Sequence, residues 1–167
     1  PKTEEIKKFL IDQVKKEPGR KIIIFSEFSD TAYYLYSKIK EIFKNRVNIY
    51  TSKESSNKKK KKEIKDNFDA GINIKDQKND HDILIATDTI SEGFNLHRAG
   101  TIINYDIPYN PTRVVQRFGR INRMNKQMFD KLYIYNFFPT AIGETEVHLK
   151  RITGIKSLLF NSIFGTD

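Results

Sequence analysis

Five short apolar runs punctuate the chain: Lys21–Phe25, Val47–Tyr50, and residues 82–86, 101–105 and 131–137. Runs 21–25 and 82–86 are apolar almost throughout and rich in β-branched residues. A strand wetted on one face would alternate apolar with polar. These predict strands buried on both faces, the habit of parallel sheets. Between them apolar residues recur at helical spacing. Ile6, Phe9, Leu10 and Val14 mark a helix over 3–16, ended by Pro18-Gly19. Ser29 or Asp30 is expected to cap a second helix running to about Phe43. A lysine-rich helix is expected over 55–70, stopped by Gly71, with a polar loop over 72–81. Asn110 as cap and Pro111 in the first turn start a helix that reaches about Met124. Leu149, Ile152, Ile155, Leu159 and Ile163 mark a helix in the tail.

Strands alternating with helices imply β-α-β units. The expected fold class is α/β, three layers with a mostly parallel sheet in the middle. The expected organisation is a leading helix or linker over 1–19, the main domain over 20–140 and a helical extension over 141–167. Ligands of such sheets bind beyond the carboxyl ends of the strands. Two segments there are candidates: loop 86–95 and the entry to helix 111–124.

Composition narrows the classes. A chain of 167 residues fits one domain with a full core. It has no run of about 18 apolar residues, so no membrane helix is expected. The chain opens Pro1-Lys2-Thr3-Glu4 without an initiator Met, and we read it as a piece of a longer protein. Cysteine is absent, which excludes disulfides and thiolate metal sites and fits a reducing cytoplasm. His81, His97 and His148 lack ligand spacing, so no metal site is expected. The net charge is +9. It suggests a polyanionic partner; a lysine-rich solvated surface is the alternative.

The helix over 111–124 changes the picture most. On a wheel we place Val114, Val115, Phe118 and Ile121 on one side, and Arg113, Gln116, Arg117, Arg120 and Arg123 on the other. Like charges at this spacing repel, and no Asp or Glu lies between Asp106 and Asp130 to relieve them. The stripe therefore suits an external anion. Arginine binds phosphate through a planar fork of two parallel donors. Gly119 costs roughly 1 kcal/mol against Ala inside a helix, and close backbone approach is one reason to carry it. In the other loop, Thr87-Asp88 open a turn after a strand, with hydroxyls and backbone amides suited to phosphate. A plain capping box, Thr87 or Asp88 answered by Ser91 or Glu92, reads equally well.

The pattern Gln116-Arg117-x-Gly119-Arg120-x-x-Arg123 resembles motif VI of superfamily 2 helicases. Residues 82–96, with Thr87, Asp88, Gly93 and Asn95, resemble motif V. Residues 21–26 look like motif IV, and Tyr50-Thr51-Ser52 sits at a further backbone-contacting turn. Residues 102–111 resemble the entry to motif VI in bacterial remodeller-like helicases, although Asn125-Lys126 replace the Gly-Gln that follows it there. The resemblance covers about 20–138 and implies the second RecA-like domain of an ATP-dependent helicase or translocase.

By position, it implies that Arg120 and Arg123 are arginine fingers on the γ-phosphate. Gln116, Gly93, Asn95 and Asp88 would lie by the nucleotide. Thr87, and more weakly Ser26, Thr51 and Ser52, would touch a nucleic-acid phosphate. Arg117 and Gly119 would be structural or coupling residues, Arg117 with Asp88 as one possible partner. No G-x-x-x-x-G-K-[ST] pattern or strand-borne Asp-Glu pair is present, so ATP and Mg²⁺ would be held mainly by the first RecA-like domain of the full-length chain. The chain alone is expected to hydrolyse no ATP. DNA is the favoured nucleic acid. A nucleic-acid-binding module without motor activity, and an inactive scaffold, are the alternatives. The run Lys58 to Lys62 has two readings, a phosphate contact or a solvated face, and so have Tyr33, Tyr34 and Tyr36, as packing or base-stacking residues.

Overall fold

The structure is a computed structural model, and it describes residues 2–91, 93–108, 110, 112–122 and 128–137. The expected tail helix and the extension over 141–167 lie outside these residues.

Five strands form one sheet: β1 (Lys21–Phe25), β2 (Val47–Tyr50), β3 (Ile83–Ala86), β4 (Ala99–Asn104) and β5 (Tyr133–Asn136). Their order is β2-β3-β1-β4-β5, and every pairing is parallel. Four helices flank them: α1 (Lys2–Lys16), α2 (Ser29–Phe43), α3 (Lys58–Phe68) and α4 (Thr112–Ile121). Alternate residues of each strand serve opposite faces. Ile22, Ile24, Ile83, Ile85 and Ile103 pack with Ile6 and Leu10 of α1 and Ala32, Leu35 and Ile39 of α2. Ile23, Phe25, Leu84, Ala86 and Ile102 pack with Ile64 and Phe68 of α3 and Ile121 of α4. Both faces are covered, which is why polar alternation is missing from the strand sequences. Two layers of helix around a parallel sheet make a RecA-like α/β domain. Among the described residues no helix is long and apolar enough to cross a membrane.

The structure corrects several local expectations. The cap of α2 is Phe28, with no side-chain cap bond; Ser26 Oγ instead accepts from the Phe28 amide at 3.4 Å. The helix expected over 55–70 is α3, and it starts later, at Lys58, capped by Asn57; a short 3-10 turn with a Thr51–Glu54 capping box precedes it. Asp69, not Gly71, ends α3. Strand β4 begins at Ala99, two residues before the expected 101. Ala99-Gly100 carry no β-branched side chain, and Gly100 lies so close to the Arg20 side chain that a Cβ would stand 2.4 Å from its Nη1.

Candidate functional site

The carboxyl ends of β1, β2, β3 and β4 run into Ser26, Thr51, Thr87 and Tyr105. The strand-end ladder continues one step through Ser26 N to Ala86 O at 3.0 Å and Thr87 N to Tyr50 O at 3.2 Å. Asp88–Ser91 then form a 3-10 turn, and Gly93 follows with φ of +85°, a left-handed conformation that glycine adopts without strain. Helix α4 enters the same region. Asn110 accepts from the Thr112 amide through its side chain at 3.0 Å and from the Arg113 amide through its carbonyl at 3.1 Å. At the far end, the Leu96 amide donates to the Arg120 carbonyl at 3.0 Å, tying α4 to the loop after β3.

Arg117 joins the two segments. It is fully buried, and its fork meets the Asp88 carboxylate with Nε–Oδ1 at 2.6 Å and Nη2–Oδ2 at 2.9 Å. Its remaining nitrogen donates to Asn104 Oδ1 at 2.8 Å, and Asn104 Nδ2 donates to Asn136 Oδ1 at 2.8 Å. The guanidinium also lies 4.8 Å from the centre of the Phe25 ring. One side chain thus links α4, the loop after β3, and strands β1, β4 and β5. A bidentate charge-assisted pair of this kind is among the strong polar contacts.

This placement corrects the wheel. Arg117 belongs with the buried set of α4, beside Val114 and Ile121, whereas Val115 is 41% exposed. At about 100° per residue, Arg117 falls within 60° of Ile121 and Val114, and Val115 lies a further 100° beyond Val114. The charge relief also differs from expectation. It comes from tertiary neighbours, not from the helix: Arg113 Nη1 stands 3.6 Å from Asp88 and 3.9 Å from Glu27.

With Arg117 turned inward, Arg113, Gln116 and Arg120 remain on the outer side of α4. They line a cleft of about 520 Å³ together with Asp88, Thr89 and Ser91. Arg120 makes no ion pair among the described residues. Ser91 is buried on the wall of the same cleft, and its hydroxyl has no partner among the described residues. Arg113, Thr89 and Ser91 were not singled out from sequence as site residues. Arg113 was legible as part of the stripe; a serine and a threonine in a turn carry no periodic signal. Gly119 is exposed, with no described atom within 4 Å of where a Cβ would stand. Asn95 is half-buried. Arg123 lies outside the described residues.

The hydroxyl candidates separate. Ser26 is fully buried and donates to Asp106 Oδ2 at 2.6 Å. Thr51 is fully buried and donates to Glu54 Oε2 at 2.8 Å. Both hydroxyls are committed internally, to carboxylates that are themselves only partly buried. Ser52 is exposed, and Thr87 is nearly buried, with its hydroxyl donating to Thr89 Oγ1 at 3.2 Å. Of the tyrosines, Tyr33 and Tyr36 pack against the core and Tyr34 is half-exposed. Within the lysine run, Lys62 pairs with Asp66 at 2.7 Å and Lys60 with Glu63 at 3.3 Å.

Comparison with known proteins places this arrangement. Residues 1–125 match the family described as helicase conserved C-terminal domain. An uncharacterized ATP-dependent helicase of Bacillus subtilis, YqhH, is 31% identical over 156 residues, 93% of this chain and 25% of that protein. The RNA polymerase-associated protein RapA of Vibrio parahaemolyticus is 25% identical over 118 residues, 71% of this chain and 11% of that protein. The chain therefore spans a quarter or less of the length of these relatives. Among solved structures, S. cerevisiae Dbp5 bound to RNA and ADP BeF3 superposes with a TM-score of 0.66 at 18% identity, covering 94% of this chain and 37% of that one. Its likeness is one of fold. The match over three quarters of the sequence, with a five-stranded RecA-like sheet beneath it, shows that the chain belongs to the C-terminal domain family of superfamily 2 helicases.

Proposed function

We propose that this domain is the second RecA-like half of an ATP-dependent DNA helicase or translocase, and that α4 delivers arginine to a nucleotide held by the first half. The observation that carries this reading is the division of labour along α4. Arg117 is buried and locked to Asp88, while Arg120 and Gln116 face a cleft at the carboxyl end of the sheet. Arg117 fixes the height and rotation of the helix, so the outward guanidinium is pre-positioned. In a closed, water-poor interface, such a fork stabilises charge developing on the transferred γ-phosphoryl. Arg123 is assigned the second finger. Gly93 and Asn95 lie by the nucleotide, and Asp88 serves there through Arg117 and Arg113. Mg²⁺ and the phosphates belong mainly to the other half, and the chain by itself turns over no ATP.

Thr87 and Ser52 are assigned to the nucleic-acid backbone. DNA is favoured by the turn Asn104-Tyr105-Asp106 to Asn110-Pro111, which resembles that of remodeller-type translocases. The motor would act by closing and reopening the two halves along the strand.

The test is an ATPase assay of the full-length protein with single-stranded DNA, duplex DNA or RNA as stimulant. DNA is expected to stimulate, and Arg120→Ala is expected to lower turnover by about 10³-fold, as arginine fingers do elsewhere. Undiminished turnover in R120A would remove the finger assignment. Stimulation by RNA alone would remove the assignment to DNA, and binding without turnover would favour a binding module.

A further inference from the structure

The opposite end of the sheet carries a second concentration of positive charge, and it is built from the starts of the strands. Lys21 is the first residue of β1. Arg46 immediately precedes β2, Asp82 precedes β3 and Arg98 precedes β4. These four residues, with Asn79 and Phe129, line a cavity of about 270 Å³. We propose that this cavity is a binding site for a phosphate-class oxyanion, held by Lys21, Arg98 and Arg46.

Three features support it. The first is burial without a counter-ion. Lys21 and Arg98 are 3% and 5% exposed, and among the described residues neither has a carboxylate within ion-pair distance. Lys21 Nζ donates to the His81 carbonyl and lies over the Phe68 ring. Arg98 donates through Nη1 to the carbonyls of Asp66 and Lys78, both at 2.9 Å, and through Nη2 to Asn79 Oδ1 at 2.6 Å. Every acceptor is neutral, and a buried charge held only by neutral groups is costly. The second is an orphan donor: Arg98 Nε is buried with no acceptor among the described residues. A guanidinium whose sole task was to clamp the 66–79 segment would use its two outer nitrogens, as this one does; that task explains neither Nε nor the neighbouring Lys21.

The third is charge balance. The one carboxylate on the wall, Asp82, is taken by Arg46, with contacts of 2.7 and 2.5 Å. Three cations and one anion on the wall leave an excess of positive charge that Asp80, just beyond it, offsets only in part, and an oxyanion suits that excess. Burial, and then the nearby Arg98, push the Lys21 ammonium down to about 8; Asp82 and Asp80 offset only part of this. An oxyanion between Lys21 and Arg98 would remove the repulsion. At roughly 30 Å³ per water, the space takes a phosphate and several waters.

The test is thermal melting of this chain in sodium phosphate against sodium chloride of equal ionic strength. At about 10 mM phosphate and a millimolar affinity, the melting temperature is expected to rise by about 3 °C over chloride. Lys21→Met should fold, because it removes a desolvated charge, and should lose most of the rise. Arg46→Gln sits at a half-exposed position and should lose part of it; it keeps the test decisive should K21M fail to fold. Arg120→Ala should keep the full rise, which separates this cavity from the cleft of α4 and from the function proposed there. Broadening of the ³¹P line of phosphate by the wild-type chain, absent with K21M, is the second readout. An equal rise with AMP identifies a phosphate monoester as the ligand; a rise with phosphate alone identifies the free ion. No rise beyond chloride, a full rise in both K21M and R46Q, or loss of the rise in R120A would each overturn the site.

Discussion

Arg117 and Arg98 are both buried, at opposite ends of one sheet, and their partners differ in kind. Arg117 faces a carboxylate with both arms of its fork and passes its third contact to an asparagine pair between strands. Arg98 faces two backbone carbonyls and an amide oxygen, all neutral, and one of its nitrogens has no acceptor among the described residues. Burial also pushes the Arg98 guanidinium down from its ordinary range. A guanidinium neutralised inside the fold is a strut. One that is not neutralised is a strut with residual affinity for anions. The same residue type therefore tells little until its acceptors are known.

The contrast predicts unequal costs of removal. Arg117→Met leaves the Asp88 carboxylate with only the longer contact to Arg113, and should destabilise the chain by about 3–5 kcal/mol. That corresponds to a fall of roughly 10 °C in melting temperature, read by circular dichroism. Arg98→Met strands three neutral acceptors but relieves an uncompensated charge, so its cost should be nearer 2 kcal/mol. Equal costs for the two variants would erase the distinction. Gly93→Ala forces a side chain into the left-handed region beside the Arg117–Asp88 strut and should cost about 1–2 kcal/mol, with no clash to add to it.

A smaller effect sharpens the other end of the sheet. The Lys21 ammonium is lowered from 10.5 to about 8 in the folded chain. Below pH 8 both states hold the proton, and the folded state bears the full burial penalty. Between about 8 and 10.5 the unfolded state keeps a proton that the folded state has released, so stability rises with pH through that window. The stability of wild type relative to K21M, measured by denaturant titration in phosphate-free buffer, should improve across it by on the order of 1 kcal/mol.

Which of these features could be read without coordinates follows from periodicity. The strands were legible because both of their faces are buried: Ile22 to Phe25 and Ile83 to Ala86 need no alternation to be recognised. The outward set of α4, Arg113, Gln116 and Arg120, was legible from spacing. Arg117 was misplaced on the wheel because charge suggested solvent, while its angle put it with Val114 and Ile121. The turn at Tyr50-Thr51-Ser52 was expected, but the cap at Asn57 that delays α3 was not, because the lysine-rich pattern runs on from residue 55 without a break. Lys21 and Arg98 had no legible sign at all. Their neighbours come from residues 66–82, far away in sequence, and only the sheet brings the strand starts together.

Gly119 draws a further consequence. A side chain there would meet no described atom, so nothing in the packing of the described residues asks for glycine. Alanine should make the isolated chain sturdier by about 0.5–1 kcal/mol through helix propensity. On α4, one residue from Arg120, glycine is a sacrifice of sturdiness that the described interior does not require.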